Sequence, residues 1–301
     1  MITNFNELFE QLRSKPKKRL AAAWGVDDHT IGAAYMAIQK GIVEATLVGD
    51  KNLILKVCKD EGIDSSLFTI VHNEDETASA NLAVELINRG EADILMKGLC
   101  STDKYMRAIL NKEKGLLPPK GVLSHVTLMQ IPNYHKLLVV GDIAVIPAPD
   151  LNQKIAITNY VASTSRALGV AKPKVAIITA TEQMLAGMPA CVDAAIISKM
   201  GDREQIKGCI IDGPLALDVA ISKEAVAVKK LVSPVAGDAD CLVFPNLESG
   251  NVFYKTNTQL ISGVQIAANV AGAKVPCVLS SRADSTDTKL NSIALAALTA
   301  K

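Results

Sequence analysis

Hydrophobic residues occur along this chain in short blocks that are separated by longer amphipathic segments. The blocks of the first half read RLAAAW, EATLVG, LFTIVH, ADILMKG, VLSHVTLMQI and KLLVVGDIAVI, and those of the second half read KVAIIT, GCIIDG, CLVFPN and KVPCVLSS. Short apolar runs rich in valine and isoleucine, bounded by glycine, proline or polar residues, are typical of buried β-strands. The pattern therefore predicts a strand at each block.

Between the blocks, apolar residues recur at the spacing of one helix face. This spacing predicts helices over 30–40, 76–89, 151–168 and 258–271. Strands that alternate with helices in this way indicate an α/β protein with mostly parallel sheets.

One segment departs from the alternation, because two strand-like runs follow each other in VLSHVTLMQIPNYHKLLVVGDIAVI. The linking letters PNYHK predict a hairpin, and hence an antiparallel pair. Proline and aspartate in PAPDLNQ then precede a long helix, so we expect a domain boundary there, after residue 147.

The last helix is well specified by its sequence. Asp284 or Ser285 can cap its first turn. Its apolar face is formed by Leu290, Ile293, Ala294, Ala297 and Leu298. This helix must pack against another element, and it begins directly after the last predicted strand.

Composition excludes several classes of protein. The chain has 301 residues, 49% of them hydrophobic and 21% charged, with a formal net charge of +1. A core of this size favours two domains with a cleft, and the charge offers no broad basic surface for nucleic acid. No signal core opens the chain, and no apolar stretch approaches the roughly 20 residues of a membrane span, so we expect a cytoplasmic protein without membrane contact.

The common cofactor and metal motifs are absent from the sequence. It contains no GxGxxG, no GxxxxGK[ST] and no HExxH, and its histidines are isolated. The six cysteines form no CxxC pair, so we interpret them as reduced and mostly buried. We expect no bound metal and no bound cofactor.

Polar residues follow the predicted strand in MKGLCSTDKYMRAIL. The strand ends at Lys97, Gly98 allows close backbone approach, Ser101 and Thr102 can cap a helix, and Arg107 lies on its second turn. Amides, hydroxyls and a guanidinium suit an oxyanion such as phosphate. An ordinary N-cap with a solvent-facing arginine explains the same spacing, and spacing alone favours it.

Two further strand ends carry acidic turn residues. IIDGPLALDVAIS and SPVAGDADCLVFPNLESGNVFYK contain the glycine, proline and aspartate that turns require, and 248–251 reads as a loop. Asp238 and Asp240 could begin a metal site, but the sequence supplies no further ligands for it. We therefore expect none there.

The segment VLSSRADSTDTKLNSIALAAL offers a second anion site. Ser280, Ser281 and Arg282 lie between the last strand and the last helix, so hydroxyls, amides and a fixed positive charge meet at a helix N-terminus. Asp284 and Asp287 follow within a turn, where capping accounts for at least one of them.

Four of these segments, in this order and spacing, resemble the phosphate acetyl/butyryl transferase family and its butyryl branch most closely. They are MKGLCSTDKYMRAILNKEKGL, DGPLALD, SPVAGDADCLVFPNLESGNVFYK and SSRADSTDTKLNSIALAAL. The resemblance implies reversible transfer of a short acyl group, here butyryl, between coenzyme A and phosphate, with coenzyme A as a substrate. It also implies an isocitrate/isopropylmalate dehydrogenase-like fold with the active site in an interdomain cleft. The expected domains are then 1–147 with the returning segment 284–301, and 148–283.

The resemblance assigns some residues more firmly than others. Ser281 and Arg282 match a serine-arginine pair whose arginine binds phosphate and stabilises transition-state charge, and Arg107 matches an arginine that contacts substrate. In the acetyltransferase branch of the family, the catalytic aspartate lies seven residues after the serine of this pair, a position that is Thr288 in this chain. Asp287 is one residue short of it and Asp284 is nearer the arginine, so the identity of a base, and the need for one, stay open.

Several alternatives remain beside the butyryl reaction. They are a phosphate acetyltransferase, a metal- and NAD-dependent hydroxyacid dehydrogenase of the same fold, and a non-catalytic acyl-CoA sensor. An acyl phosphate product implies an acyl kinase, here a butyrate kinase, as functional partner, and the family implies a homodimer or larger homo-oligomer.

Overall fold

The computed structural model describes residues 1–279 and 284–301. Within these ranges the chain forms eleven α-helices and eleven β-strands, which alternate along most of its length. The helices are α1 Phe5–Arg13, α2 Asp28–Gln39, α3 Lys51–Asp60, α4 Glu76–Asn88, α5 Thr102–Leu110, α6 Leu151–Ala167, α7 Pro189–Asp202, α8 Leu217–Ile221, α9 Lys223–Lys229, α10 Leu247–Leu260 and α11 Thr286–Thr299. The strands are β1 Lys18–Ala23, β2 Val43–Gly49, β3 Phe68–His72, β4 Ile94–Lys97, β5 Ser124–Gln130, β6 Leu138–Gly141, β7 Lys174–Thr179, β8 Ile210–Ala216, β9 Cys241–Val243, β10 Gln265–Ala271 and β11 Cys277–Val278.

Short polar side chains set where many of the helices begin. The carboxylate of Asp27 accepts from the Thr30 amide at the start of α2, and Asp75 caps α4 in the same way through Ala78. At α6, Asp150 and Gln153 form a reciprocal capping box. These side chains satisfy amides that the first helical turn leaves without partners.

The chain divides into two compact units. The first unit comprises residues 5–123 and 266–301, and the second comprises residues 1–4 and 124–265. Their bounds differ from those of the predicted domains, 1–147 with 284–301 and 148–283, which stay a prediction.

The sheet of the first unit has the strand order β3-β2-β1-β4-β11-β10. The first five of these strands are mutually parallel, with Leu20 of β1 level with Ala45 of β2 and Ile94 of β4. Strand β10 runs antiparallel to β11. Helices α2 and α11 pack against each other, and α4 packs against α5.

The sheet of the second unit has the order β5-β6-β9-β7-β8. Strands β5 and β6 form the predicted antiparallel hairpin, with Met129 opposite Leu138. The remaining pairs, β6 with β9, β9 with β7 and β7 with β8, are parallel. The prediction of an α/β fold with mostly parallel strands is confirmed.

Two predictions of local structure are wrong. A helix over 258–271 is not formed, because α10 ends at Leu260 and Gln265–Ala271 is strand β10, buried on both faces. Gly263, with a φ of +82°, lies in the turn between them. The predicted loop at 248–251 is instead the first turn of α10, where Asn246 accepts from the Ser249 amide.

Apolar side chains fill the core, and the cysteines belong to it. All six thiols are free, and five are buried whereas Cys209 is partly buried. Burial raises the pKa of Cys100 to about 11 and that of Cys277 to about 12. Of the helices in the described ranges, none has the length and apolar character that crossing a bilayer requires.

Candidate functional site

The strand order of the first unit contains a topological switch point. From β1 the chain moves outward to β2 and β3, and then returns to the other side of β1 as β4. The connections that leave the carboxyl ends of β1 and β4 therefore diverge. In open α/β sheets, such a divergence forms the crevice in which ligands bind.

Helix N-termini converge on the same edge of this sheet. Each of the five parallel strands is followed by a helix, so α2, α3, α4, α5 and α11 all begin beyond the carboxyl edge. Helix N-termini carry partial positive charge and unpaired amides, which favour an anion. The edge is therefore suited to a phosphate or a carboxylate.

Strand β4 ends at the switch point in a buried lysine. Lys97 is 1% exposed, and its Nζ donates to the Gly98 carbonyl at 3.2 Å. The Gly98 amide donates in turn to the Ala23 carbonyl of β1 at 2.9 Å. A Cβ on Gly98 would lie 2.3 Å from the Trp24 carbonyl oxygen. Gly98 therefore packs closely on the backbone that follows β1, and the predicted approach of an anion to Gly98 stays a prediction.

Trp24, which directly follows β1, holds an uncommon backbone conformation. Its φ is +54°, in the left-handed region that bulky residues rarely adopt. The Trp24 carbonyl accepts from the amides of Val26 and Leu99, at 3.0 and 2.9 Å. Such strain is found most often at functional sites, where the surrounding structure maintains it.

Ser101 caps α5, as the sequence predicts. Its hydroxyl accepts from the Lys104 amide at 3.2 Å, whereas its own amide donates to Glu76 at 2.6 Å. The second carboxylate oxygen of Glu76 accepts from Lys104 Nζ at 2.5 Å. The hydrogen bond to Glu76 raises the pKa of Lys104. Because two amides of this turn are already engaged, they do not serve an incoming anion without rearrangement.

Thr102 is the first residue of α5 and not its cap, whereas Arg107 lies on the helix as expected; both are exposed. Arg107 is on the second turn of the helix, its side chain 79% exposed, and its Nε is 3.0 Å from the Asp103 carboxylate. This exposed position agrees with the simpler interpretation of the sequence, in which Arg107 is an ordinary solvent-facing arginine. A substrate contact through Thr102 or Arg107 stays a prediction.

Helix α11 begins as its sequence predicts. Ser285 is the N-cap, its hydroxyl accepting from the Thr288 amide at 3.2 Å, and Asp287 is exposed in the first turn. Asp284 precedes the cap and is partly buried. The predicted anion ligands Ser280, Ser281 and Arg282 lie outside the described residues.

The N-termini of α2 and α11 meet beside the switch point. His29 Nδ1 is 3.2 Å from Thr286 Oγ1, and a Cβ on Gly32 would lie 3.3 Å from Thr286 Cγ2. Within this contact, Lys289 is only 2% exposed. The burial of Lys97 and Lys289 was not foreseen from the sequence. A lysine that ends the apolar run ILMK is a usable signal for Lys97, whereas nothing in TKLNS distinguishes Lys289.

The aspartates of SPVAGDAD are occupied by cations of their own unit. Asp238 contacts Lys174 Nζ at 2.8 Å, Lys136 Nζ at 3.0 Å and His135 Nε2 at 2.8 Å. Asp240 accepts from Lys136 Nζ at 2.7 Å and from the Lys174 amide at 2.8 Å. Burial acts to raise the pKa of Asp238, but the hydrogen bonds from these three side chains hold it well below its ordinary value.

This ion network has a structural role. It joins the starts of β6, β7 and β9, which are neighbours in the sheet of the second unit. Elsewhere too, the described residues contain no group of three His, Cys, Asp or Glu side chains arranged to hold a metal ion.

Comparison with known proteins places the chain in a class of acyl-transferring enzymes. Residues 76–297 match the family described as Phosphate acetyl/butaryl transferase. The chain is 44% identical over 300 residues to phosphate butyryltransferase from Clostridium acetobutylicum, with 100% of this chain and 99% of the relative covered. It is 39% identical over 292 residues to phosphate acetyltransferase from Thermotoga maritima, with 97% and 98% covered.

Solved structures agree with this result. A branched-chain phosphotransacylase from Enterococcus faecalis superimposes with a TM-score of 0.82 at 31% identity, covering 94% of this chain and 98% of the other. A 4-hydroxythreonine-4-phosphate dehydrogenase from Klebsiella pneumoniae shares the fold alone, with a TM-score of 0.58 at 10% identity, covering 95% and 100%. The chain belongs to the phosphate acetyl/butyryl transferase family.

Proposed function

We propose that this protein is an acyltransferase that moves a short acyl group, butyryl, reversibly between coenzyme A and inorganic phosphate. The products in one direction are an acyl phosphate and free coenzyme A. The observation that carries the proposal is the family match over residues 76–297 together with 44% identity to a phosphate butyryltransferase along the whole chain. The crevice at the switch point, with its helix N-termini, suits the anions of this reaction.

The reaction proceeds by direct attack, without an acyl-enzyme. A phosphate oxygen adds to the thioester carbonyl, the tetrahedral oxyanion collapses, and coenzyme A leaves as a thiolate that takes up a proton. Arg282 neutralises phosphate charge, and Ser280 and Ser281 donate to the oxyanion. Stabilisation of developing charge by fixed donors is commonly the largest catalytic term.

A general base has a smaller role in this scheme. Asp284 and Asp287 are the candidates, and either could accept a proton from the thiol in the reverse direction. Such help is worth about 10²- to 10⁴-fold, and a free thiol has a pKa of about 8.5, so it already reacts to some extent near neutral pH. We therefore expect Arg282 to contribute more to the rate than either aspartate.

The β4–α5 connection supplies further substrate contacts in the proposal. Arg107 and Thr102 are exposed on α5 and accessible to a phosphate-bearing ligand. Ser101 caps the first turn of the helix, and Gly98 permits the close packing of this connection on Trp24.

Phosphate acetyltransferase is the second candidate function. Relatives of both names align along nearly the whole chain, at 44% and 39% identity. One methylene in an apolar pocket is worth only about 1 to 3 kcal/mol of discrimination, so small changes in pocket volume shift the preferred acyl chain. The higher identity to the butyryl enzyme supports the longer acyl group.

The reaction also implies partners and a location. An acyl kinase, here a butyrate kinase, would consume the acyl phosphate, because its mixed anhydride is an activated phosphoryl donor. The free state of all six cysteines supports a reducing cytoplasmic location. We also propose that the protein forms a homodimer or a larger homo-oligomer, because it belongs to this family.

Thiol release from a panel of acyl-CoAs, with and without phosphate, tests the proposal. We expect release that requires phosphate and is fastest with butyryl-CoA. Release without phosphate would identify a hydrolase. Faster release from acetyl-CoA would identify the second candidate. Cofactor reduction with a hydroxyacid, nicotinamide and a divalent metal, without thiol release, would instead identify a dehydrogenase of this fold.

A further inference from the structure

Helix α10 presents apolar side chains to solvent. Among its 14 residues, all of which the structure describes, only Gly250 and Asn257 are buried. Val252 and Leu260 are 64% and 79% exposed, and their spacing of eight positions puts them on the same side of the helix. Helices in proteins are stabilised mainly by packing of an apolar face, and exposed apolar surface marks interaction sites. This side of α10 is therefore a candidate interaction surface.

An open apolar groove lies beside α10, and all the residues that line it belong to the second unit. The groove has a volume of about 840 Å³ and is bounded on its other side by Leu217 and Ile221 of α8. Ile178, in β7, and Phe244, directly after β9, also line it. The Phe244 ring packs on that of Phe253 in α10, with 5.3 Å between the ring centroids. The helix and the strand ends thus form a continuous apolar surface.

Three polar side chains that line the groove bond to the backbone of their own segment. Asn246 accepts from the Ser249 amide, and the Ser249 hydroxyl donates to the Asn246 carbonyl, both at 2.9 Å. Asn257 Nδ2 donates to the Phe253 carbonyl at 2.8 Å. Because these groups are already engaged, they offer little to a ligand that is rich in hydrogen-bonding atoms. The groove favours an occupant with apolar side chains.

The charges of α10 complement those of a second copy of the same helix. Glu248, in the first turn, and Lys255, seven positions later, are exposed and lie along one edge of the apolar side. In an antiparallel helix pair related by a twofold axis, the same edges of the two helices adjoin. With Val252 close to the axis, Glu248 of each copy is then opposite Lys255 of the other. A twofold interface makes each contact twice, so this pairing gives two ion pairs.

The exposed apolar surface continues beyond α10. A helix of 14 residues is about 21 Å long and 10 Å wide, so α10 alone covers about 200 Å², whereas each partner of a stable dimer buries about 800 Å². Val228 and Val232, in the segment that follows α8, are 76% and 97% exposed. A small ligand in the groove would leave these side chains and Leu260 in water. A protein surface is therefore the better occupant.

We propose that two copies of this chain associate through α10, with the two helices antiparallel about a twofold axis. Val252 and Leu260 of each copy cover the groove of the other, and Glu248 of each copy pairs with Lys255 of the other. The segment that follows α8 completes the interface. This arrangement goes beyond the acyl-transfer function, and it gives a surface to the homo-oligomer that family membership supports.

A charge-swap series, measured by analytical ultracentrifugation, tests the inference. We expect the wild type to be a dimer at micromolar concentration. Lys255→Glu and Glu248→Lys each turn both ion pairs into like-charge contacts, so each should raise the Kd of the dimer about 10-fold or more. The double variant restores opposite charges, and its Kd should return to within about threefold of the wild type. Lys56→Glu, at an exposed position of α3, is the matched control and should keep the wild-type Kd.

Thiol crosslinking locates the surface independently of charge. A short bis-maleimide should join Val252→Cys to its copy, because packed helices lie about 8 to 10 Å apart. Leu53→Cys, 44% exposed on α3 of the first unit, should stay monomeric on a denaturing gel. The wild type, whose six cysteines are buried or partly buried, should do the same.

Three results would overturn the proposal. They are a monomeric wild type at about 50 μM, a double charge variant that dimerises no better than the single variants, and a Val252→Cys protein that does not crosslink. Circular dichroism checks the fold of each variant, and if Glu248→Lys does not fold, Lys255→Glu and the crosslink decide. A dimer that forms through another surface would leave the homo-oligomer proposed above intact. Absence of phosphate-dependent thiol release would contradict the acyl-transfer function alone.

Discussion

Arg282 is the side chain on which the proposed chemistry depends most. We expect Arg282→Ala to lower kcat by about 10² to 10³-fold, because one fixed donor to a developing oxyanion is worth that much. Saturating phosphate should not restore the rate, since the interaction is made in the transition state. Steady-state thiol release with butyryl-CoA measures the effect.

The control for this substitution is Arg13→Ala, at an exposed position at the end of α1. It should leave both kcat and the circular dichroism spectrum unchanged. An Arg282→Ala protein with near-normal turnover would remove Arg282 from the catalytic assignment.

At the scale of residues, helix caps could be predicted from the sequence, whereas the burial of charged side chains could not. The sequence names two possible caps for each helix, Ser101 and Thr102 for α5 and Asp284 or Ser285 for α11, because capping depends on a few neighbouring residues. The serine is the cap in both helices. The environment of Lys289 depends instead on α2, which is more than 200 positions away in the chain. Single-residue chemistry that tertiary packing creates has no local signature.

At the scale of elements, Glu76 joins two helix starts. It opens α4 and binds both the Ser101 amide and the Lys104 ammonium at the start of α5. We expect Glu76→Gln to lower the free energy of unfolding by about 1 to 2 kcal/mol, because a charge-assisted hydrogen bond is lost. Urea unfolding measures this loss, and hydrogen exchange should show a less protected Ser101 amide.

The matched control lies on the same helix. Glu85 pairs with Arg89 at the surface, both side chains about half exposed, and such pairs contribute little. Glu85→Gln should therefore change stability by less than about 0.5 kcal/mol. Equal losses in the two variants would mean that Glu76 is an ordinary surface acid.

Helix and strand were confused where small apolar residues are dense. The segment that contains β10, QIAANVA, has apolar residues at both helical and alternating spacing, so its pattern does not select one period. The hairpin β5–β6 was predicted correctly, because PNYHK interrupts two long runs of β-branched residues. Turn residues carried more information there than hydrophobicity.

At the scale of the whole molecule, the Asp238 network should govern stability in acid. The pKa of Asp238 is held below its ordinary value, so the carboxylate stabilises the fold above about pH 4, the pKa of an unfolded aspartate. This contribution is lost as the pH falls further and Asp238 takes up a proton. We expect Asp238→Asn to cost about 2 to 3 kcal/mol at pH 7 and progressively less below about pH 4.

Urea unfolding of the wild type and of Asp238→Asn between pH 2 and 7 measures the difference in their free energies of unfolding. Most of the change is expected below about pH 4, so the measurements should be dense there. Asp202→Asn is the control, since Asp202 pairs with Lys199 at the surface of the same unit. A gap between wild type and Asp238→Asn that stays constant down to pH 2 would show that the network does not titrate as described.

The general architecture could be predicted from the sequence, but the strand order could not. Alternating blocks identify parallel strands, yet the return of the chain beside β1 as β4 depends on which helices cover which face. The switch point, and with it the meeting of Lys97, Trp24 and Gly98, became visible only in three dimensions. Family resemblance supplied the chemistry that local patterns left open.

The buried cysteines have a practical consequence at the bench. Because five thiols are covered and Cys209 is only partly accessible, a disulfide dye added to the native protein would report coenzyme A with little background. The protonated state of Cys100 and Cys277 makes that background slower still. In denaturant all six thiols become reactive, so the same dye also counts unfolded molecules. One reagent can then read both turnover and loss of structure in every variant.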